Sequence, residues 1–207
     1  MIMSKRKITR NKEEKINLIY DTFFKLILEK GYHRASTNKI AEAAQISIGT
    51  IYHYFPKGKS EILTKYFQKS KDITFNIEDF KGYDVNNVPE VFTQFISKDI
   101  ENQRKNLGFR IALRHAVLSD KKVREAFQNK VIEISKEIVK TLRATTVVFK
   151  GSPEKRLVQR FAFIYNLIEA IVHHHIFVMK LFDDDDDLVK YISSLIASTI
   201  QFFQKLG

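Results

Sequence analysis

The sequence predicts an all-α protein of about nine helices, and three observations carry that prediction. Only 7 Gly and 3 Pro serve 207 residues, too few for the turns of a sandwich or barrel. Apolar residues recur at three- and four-residue spacing along most of the chain, and no stretch alternates with period two long enough to make a strand. Hydrophobic residues make up 44% of the chain, enough to bury a core and to exclude a disordered polymer.

The elements follow in order. Residues 1–12 read as a basic, flexible arm. From Glu13, the positions Ile16, Ile19, Tyr20, Phe23, Phe24 and Ile27 repeat at helical spacing until Gly31 stops them. Ser36 or Thr37 caps a short helix through Ala44 whose Ile40, Ala41 and Ala44 face inward. Gln45-Ile46-Ser47 is a tight turn, and Ser47 caps a second short helix ending near Phe55. Pro56-Lys57-Gly58 breaks the chain before a helix carrying Ile62, Leu63, Tyr66 and Phe67. Residues 72–87 form a weaker link. Asn87 and Glu90 flank Pro89 as a capping box for a helix to about Lys105. Further helices cover about Leu107–Leu118 and Asp120–Phe149, and Ser152-Pro153-Glu154 opens a long one ending near Phe182. After Asp183–Asp187, the last helix repeats Leu188, Ile192, Leu195, Ile196, Thr199, Phe203 and Leu206 along one face.

Charge divides the chain. Residues 1–71 hold 15 Lys/Arg against 6 Asp/Glu, a balance of +9, whereas residues 72–207 hold 20 against 18, a balance of +2. A basic first third suits a polyanion partner through phosphate attraction and counterion release; the plainer alternative is a basic, soluble surface. With no Cys, disulfides, thiolate metal sites and cysteine catalysis are excluded. No GxSxG, Gly-rich phosphate loop or HExxH is present, so an enzyme is not expected, nor a cofactor. The charged N-terminus lacks a signal-peptide core, and the apolar stretch Phe161–Phe182 is interrupted by Asn166, Glu169 and three histidines. A cytoplasmic protein with no membrane partner is expected.

Residues 31–55 (GYHRASTNKIAEAAQISIGTIYHYF) have a physical logic of their own. Ile40, Ala41, Ile46 and Ile51 are available to pack two short helices across a turn, and small Ala41 and Ala44 allow close approach. The second helix then presents Ser47, Ile48, Thr50, Tyr52 and His53 outward, groups suited to the major groove, with Gly49 permitting close approach to the duplex. N–H groups near Thr37 can donate to a phosphate oxygen, and Tyr54 and Lys59 are further phosphate candidates.

This constellation resembles the TetR family of transcriptional regulators. The resemblance rests on Gly31, Thr37, Ile40-Ala41-Glu42-Ala43-Ala44, Ile46-Ser47, Gly49-Thr50-Ile51-Tyr52-His53-Tyr54-Phe55, Lys59 and Glu61-Ile62-Leu63. It covers about residues 13–72, with the helix-turn-helix at about 36–55; beyond, the chain is similar only in length and helical content. Two positions depart from the family pattern. Gln45 stands where Gly is usual, so a left-handed backbone there is strained. Ile48 stands where a basic or polar residue is common, and either turns recognition toward thymine methyl groups or packs locally.

The resemblance implies an N-terminal three-helix DNA-binding domain (13–72) and a C-terminal helical effector-binding and dimerisation domain (73–207). It further implies a homodimer reading an inverted-repeat operator, released when an apolar or amphipathic small molecule favours the non-binding conformation by ~1–3 kcal/mol. A repressor is the expected function. An architectural DNA-binding protein without small-molecule response is the alternative.

The sequence lends the dimer its own support. In Leu157–Phe182, 18 of 26 residues are apolar, which leaves one face for the core and another for a partner, or else buries both last helices within one subunit; Ser193, Ser194, Ala197 and Ser198 make the last helix approachable. The expected effector contacts are Phe92, Phe95, Arg110, Arg114, His115, Tyr165, Glu169 and His173. The arginines serve an anionic effector or plain solvation, and the aromatic residues line a pocket or the core. His173-His174-His175 cannot chelate one ion, because consecutive helical residues point about 100° apart, so no metal site is expected. The Asp183–Asp187 run reads as a solvated turn whose last carboxylates favour the N-terminus of the final helix. Lys5, Arg6, Lys7 and Arg10 either reach DNA or form a solubilising tail.

Overall fold

Helix-forming residues without an interior Gly or Pro run from the N-terminus to Gly31, and the chain there is a single helix. The computed structural model describes residues 2–69, 88–145 and 151–205. Among them are α1 (Ile2–Lys30), a turn of 3-10 helix (Tyr32–Arg34), α2 (Thr37–Ala43), α3 (Ile48–Tyr54) and α4 (Lys59–Lys69). There follow α5 (Val88–Lys105), α6 (Leu107–Ser119), α7 (Lys121–Thr145), α8 (Glu154–Phe177) and α9 (Asp185–Lys205), with no strand among the described residues. The expected all-α class holds. The expected link at 72–87, the cap at Asn87 and the end of α7 near Phe149 lie outside the described residues.

Two boundaries correct the sequence reading. The first helix, expected from Glu13 after a flexible arm, already begins at Ile2, because Lys and Arg are good helix formers and nothing before Glu13 breaks the pattern. The long helix expected to end near Phe182 ends at Phe177. There Val178 and Met179 N–H both donate to the His174 carbonyl, and Leu181 N–H donates to the buried His175 Nδ1 (3.0 Å), turning the chain.

The described chain forms two compact units. The first draws on Met1–Ser70 and Asn106–Phe127, so α6 and the start of α7 group with the N-terminal segment, which the expected boundary at residue 72 did not foresee. Its core is built on α1, whose Ile19, Tyr20, Phe23, Leu26 and Ile27 are buried. An aromatic cluster joins the surrounding elements: Tyr66 lies 5.0 Å from Tyr20, 4.7 Å from Phe24 and 4.8 Å from Phe109 between ring centroids, and Tyr20 meets Phe55 at 5.6 Å. Burial, with Tyr66 beside it, pushes the Tyr20 phenol up to about 12. α6 packs on α1 through Gly108, where backbone meets backbone without a side chain between.

In the second unit, drawn from Lys71–Lys105 and Gln128–Gly207, α5 packs against α9 and α8, and α8 against α9. Phe92, Phe95, Ile96 and Ile100 of α5 are buried, as are Phe161, Ile164, Tyr165, Ile168 and Val172 of α8. On α9, Leu188, Ile192 and Ile196 follow the expected face; Leu195, Thr199 and Phe203 are half-buried, and Leu206 is outside the described residues. The α8–α9 corner is pinned by Asp185. Its carboxylate accepts two N–H groups of Arg104 and the Nε2–H of His175, which fixes that imidazole as the Nε2–H tautomer because Nδ1 is an acceptor. Arg104, then His175, outweigh burial and hold the Asp185 carboxyl below the usual range.

A Cβ on Gly108 would lie 2.8 Å from the Phe24 carbonyl oxygen and 3.0 Å from Phe24 Cβ. Helix propensity alone makes Gly108→Ala stabilising by up to ~1 kcal/mol. The clash makes it destabilising by about 1–3 kcal/mol. Urea unfolding of the variant should therefore show a lowered midpoint; a raised one would show that α6 has room to retreat.

Candidate nucleic-acid interface

Two capped helices and a left-handed turn make the candidate site. Ser36 Oγ accepts the Lys39 N–H (3.3 Å) at the start of α2, and Ser47 Oγ accepts the Thr50 N–H (3.1 Å) at the start of α3. α2 closes with Gln45 N–H donating to Glu42 O (3.2 Å) and Ile46 N–H to Ala41 O (3.0 Å), the paired bonds of a Schellman turn. That turn needs one residue with positive φ, and Gln45 supplies it at 54°. The strain expected for a non-glycine residue is therefore present.

The turn sets which faces look inward. Ile40, Ile51 and Phe55 are fully or almost fully buried, with Ala41 and Ala44, while Ile46 is only half-buried. α2 packs on α1 and on α3. On the other side Ser47, Ile48, Gly49, Tyr52 and His53 are exposed, and Thr37, Thr50 and Tyr54 half-exposed. The hydroxyls form pairs: Ser47 Oγ with Thr50 Oγ1 (2.9 Å), and Thr37 Oγ1 with Tyr52 Oη (3.3 Å). The outward set expected from the sequence is thus brought together on and beside α3.

Lys59 stands apart from it. Its ammonium donates to the Tyr32 carbonyl (3.1 Å) and lies 4.2 Å from the Tyr32 ring centroid. Burial lowers its pKa against the opposing pull of Asp120. The same burial, reinforced by Asp120, pushes the Tyr32 phenol up to about 12. In this structure Lys59 therefore ties the start of α4 to the turn after α1 instead of facing outward as a phosphate contact.

Two acidic residues to which the sequence reading gave no bonding role complete the support. The Glu61 carboxylate accepts the Lys57 N–H (2.7 Å) and pairs with Lys65 (2.9 Å); together they overcome burial and hold its carboxyl low. Asp120 accepts the Ser60 hydroxyl and the N–H groups of Lys122 (2.9 Å) and Val123 (3.3 Å). Burial raises the Asp120 carboxyl, but those three hydrogen bonds outweigh it and bring it below the usual range. An Asp just before a helix is a legible cap signal. Its bond to Ser60, sixty residues away, is not. Lys39 and Lys57 are exposed cations that the reading also omitted.

The expected effector contacts divide between the units. Phe92, Phe95, Tyr165, Glu169 and His173 lie on α5 and α8 of the second unit, the first three buried and the last two half-buried. Arg110, Arg114 and His115 lie on α6 in the first, Arg110 buried and the exposed His115 edge-on to His33 at 6.2 Å. The three consecutive histidines point apart: His173 stacks on Phe177 (4.6 Å), His174 is exposed and His175 is buried on Asp185. Among the described residues no group of three or more His, Cys, Asp or Glu is placed to hold a metal, and no helix is long and apolar enough to cross a membrane.

Residues 19–66 match the family model described as bacterial regulatory proteins, tetR family. The fatty acid metabolism regulator protein of Bacillus subtilis is 40% identical over 60 residues, which cover 29% of this chain and 30% of that protein. An uncharacterised HTH-type regulator, YuxN, of the same organism is 36% identical over 69 residues, 32% of this chain and 24% of its own. The chain thus aligns with less than a third of each of these relatives. In fold, it is similar to a putative TetR-family regulator from Syntrophomonas wolfei (TM-score 0.71, 17% identity, 90% of this chain and 96% of that one). It is also similar to the fatty acid degradation regulator FadR from Bacillus halodurans (TM-score 0.66, 22% identity, 88% and 94%).

Two measurements test this local design. Gln45→Val places a branched Cβ at positive φ and is expected to cost about 1–2 kcal/mol, whereas Gln45→Gly relieves the strain. Equal unfolding midpoints for the two variants would show an unstrained turn. Asp120→Asn removes a carboxylate whose pKa is depressed on folding, so its contribution is present above the unfolded value near 4 and lost as pH falls through the lower folded value. The stability gap between wild type and Asp120→Asn should therefore hold from pH 7 to 5 and close below about pH 4. A gap constant down to pH 3 would show that the charge of Asp120 contributes nothing.

Proposed function

From the match of residues 19–66 to the tetR-family model, and of 60 residues to a curated regulator, we propose that the chain is a TetR-type, homodimeric, ligand-responsive transcriptional repressor that binds an inverted-repeat DNA operator. One observation carries the reading. Two serine-capped helices meet at a left-handed turn that buries Ile51 and leaves Ser47, Ile48, Gly49, Tyr52 and His53 exposed on a single short helix. A helix presented in this way fits the major groove, with its N-terminal residues toward base edges. Thr37, Thr50 and Tyr54 flank it as groove-edge or phosphate contacts, and the +9 balance of residues 1–71 supplies the attraction to phosphate.

The second unit supports self-association. Phe163 of α8 and Tyr191 and Phe202 of α9 are each more than half exposed, and Ser194 and Ser198 are exposed small residues on the same last helix. Large apolar side chains left in water on an adjacent helix pair suit an isologous interface. The effector is a small apolar or amphipathic molecule that meets Phe92, Phe95, Tyr165, Glu169 and His173, and binds better to the conformation unable to hold DNA. Because two similar proteins are named for fatty acid metabolism or degradation, fatty acids are the first class to titrate. A cytoplasmic location accords with a DNA partner.

Binding-site selection from random duplexes is expected to return an inverted repeat with half-site centres one helical turn or slightly more apart. Fatty acids should then release the protein from it. A selected site that no small molecule loosens would favour the architectural alternative. Deleting residues 1–10 removes Lys5, Arg6, Lys7 and Arg10; affinity should fall, and the slope of log K against log salt should flatten by about 1 for each phosphate that is no longer neutralised. An unchanged slope would remove this segment from the interface.

A further inference from the structure

The exposed side of α3 lacks the side chains that read bases through paired hydrogen bonds. Arg and Lys read guanine in this way, and Asn and Gln read adenine; the helix Ile48–Tyr54 contains none of the four. Its hydroxyls are engaged with neighbours, Ser47 with Thr50 and Tyr52 with Thr37. His53 lies near the C-terminal end, edge-on to Tyr54 at 4.8 Å, whereas base edges meet the N-terminal part of a recognition helix. At that end stands Ile48, the first helical residue, 38% exposed. Gly49 follows with no side chain to hold a duplex away, and only Ser47 Oγ lies within 4 Å of where its Cβ would be. Ile48 therefore keeps more than a third of its surface open to a partner, whatever local packing it also makes.

An exposed isoleucine gains from a partner only if that partner is apolar, and the apolar group that base pairs display in the major groove is the thymine 5-methyl. We propose that Ile48 sets half-site specificity by packing on a thymine 5-methyl group. One base pair of each half-site is read by its methyl rather than by a donor–acceptor pattern. The inference rests on the recognition-helix role of α3 proposed above. It also implies that 5-methylcytosine at the same place would be accepted where cytosine is not, because the two differ only in that methyl.

The test uses the full chain and the duplex recovered by site selection. Each thymine of one half-site is replaced in turn by deoxyuridine, which deletes the methyl and leaves every hydrogen-bonding group in place. At one position, wild-type affinity should fall about fourfold, the worth of one methyl buried against an aliphatic side chain. Ile48→Ala should bind the parent duplex correspondingly less tightly and show no further loss with uracil at that position. Indifference of the wild type to every replacement overturns the proposal, and this arm requires no variant to fold. A uracil penalty undiminished in Ile48→Ala also overturns it, by assigning the methyl to another residue. Failure to select any site would instead sink the recognition-helix reading itself, an outcome distinct from a selected site that ignores its methyl groups.

Discussion

The left-handed residue at Gln45 is the constraint on which the candidate interface depends. Without a positive φ after Ala44, α2 would run on or turn elsewhere, and Ile46 N–H could not return to the Ala41 carbonyl. With it, α3 restarts under its own serine cap in a register that sends Ile51 inward and Ile48, Tyr52 and His53 outward. A seven-residue helix has little stability of its own. Its position is held by Ile40, Ile51 and Phe55 in the core beneath, and by the cap and turn bonds at its start. That Gln rather than Gly occupies the turn shows how firmly these surroundings determine it.

Charge in the first unit is divided between holding the fold and facing outward. Lys59 is engaged by the Tyr32 carbonyl and ring, and Lys65 by Glu61, by the Tyr54 carbonyl and by the Phe55 ring. Asp120 fastens α4 to the start of α7 through Ser60. These groups give α3 a firm base, and a ligand phosphate would have to compete for them. Lys39 and Lys57 remain exposed and are free of these scaffold contacts, so they can approach a ligand phosphate directly.

What was legible in the sequence was local. Ser36 or Thr37 and then Ser47 announced two helix starts, Gly31 a stop and Gln45-Ile46-Ser47 a turn, because each acts within five residues of itself; the cost at Gln45 followed from the family resemblance. The buried stripe of α1 followed from periodicity. The rest depends on residues distant in sequence. Nothing near Lys59 says that its ammonium will meet Tyr32, or near Ser60 that Asp120 will accept its hydroxyl. Gly108 reads as an ordinary helical glycine until the Phe24 backbone is placed against it, and that approach brings α6 into the first unit. For the same reason Arg110, Arg114 and His115, grouped with the effector by chemistry alone, fall in a different unit from Phe92 and Tyr165. α8 stops early because His175 turns inward to accept a backbone N–H, an event invisible in an apolar helical pattern.

With α3 in the recognition role proposed above, its lack of Arg, Lys, Asn and Gln would shift the burden of specificity onto the proposed dimer. Phosphate contacts bring affinity but no sequence information, and one methyl contact discriminates only about fourfold. A single copy reading DNA in this way would be lost among the many competing sites of a genome. Two copies on an inverted repeat multiply their discriminations, and add the spacing between half-sites as a further geometric filter. In the proposed dimer, the large apolar side chains left exposed on α8 and α9 would serve recognition as much as the residues of α3. Thin chemistry at the proposed reading face would make accurate spacing between two readers the main determinant of which DNA is held. In the proposed repressor, a ligand that altered that spacing would release the protein without touching a single base contact.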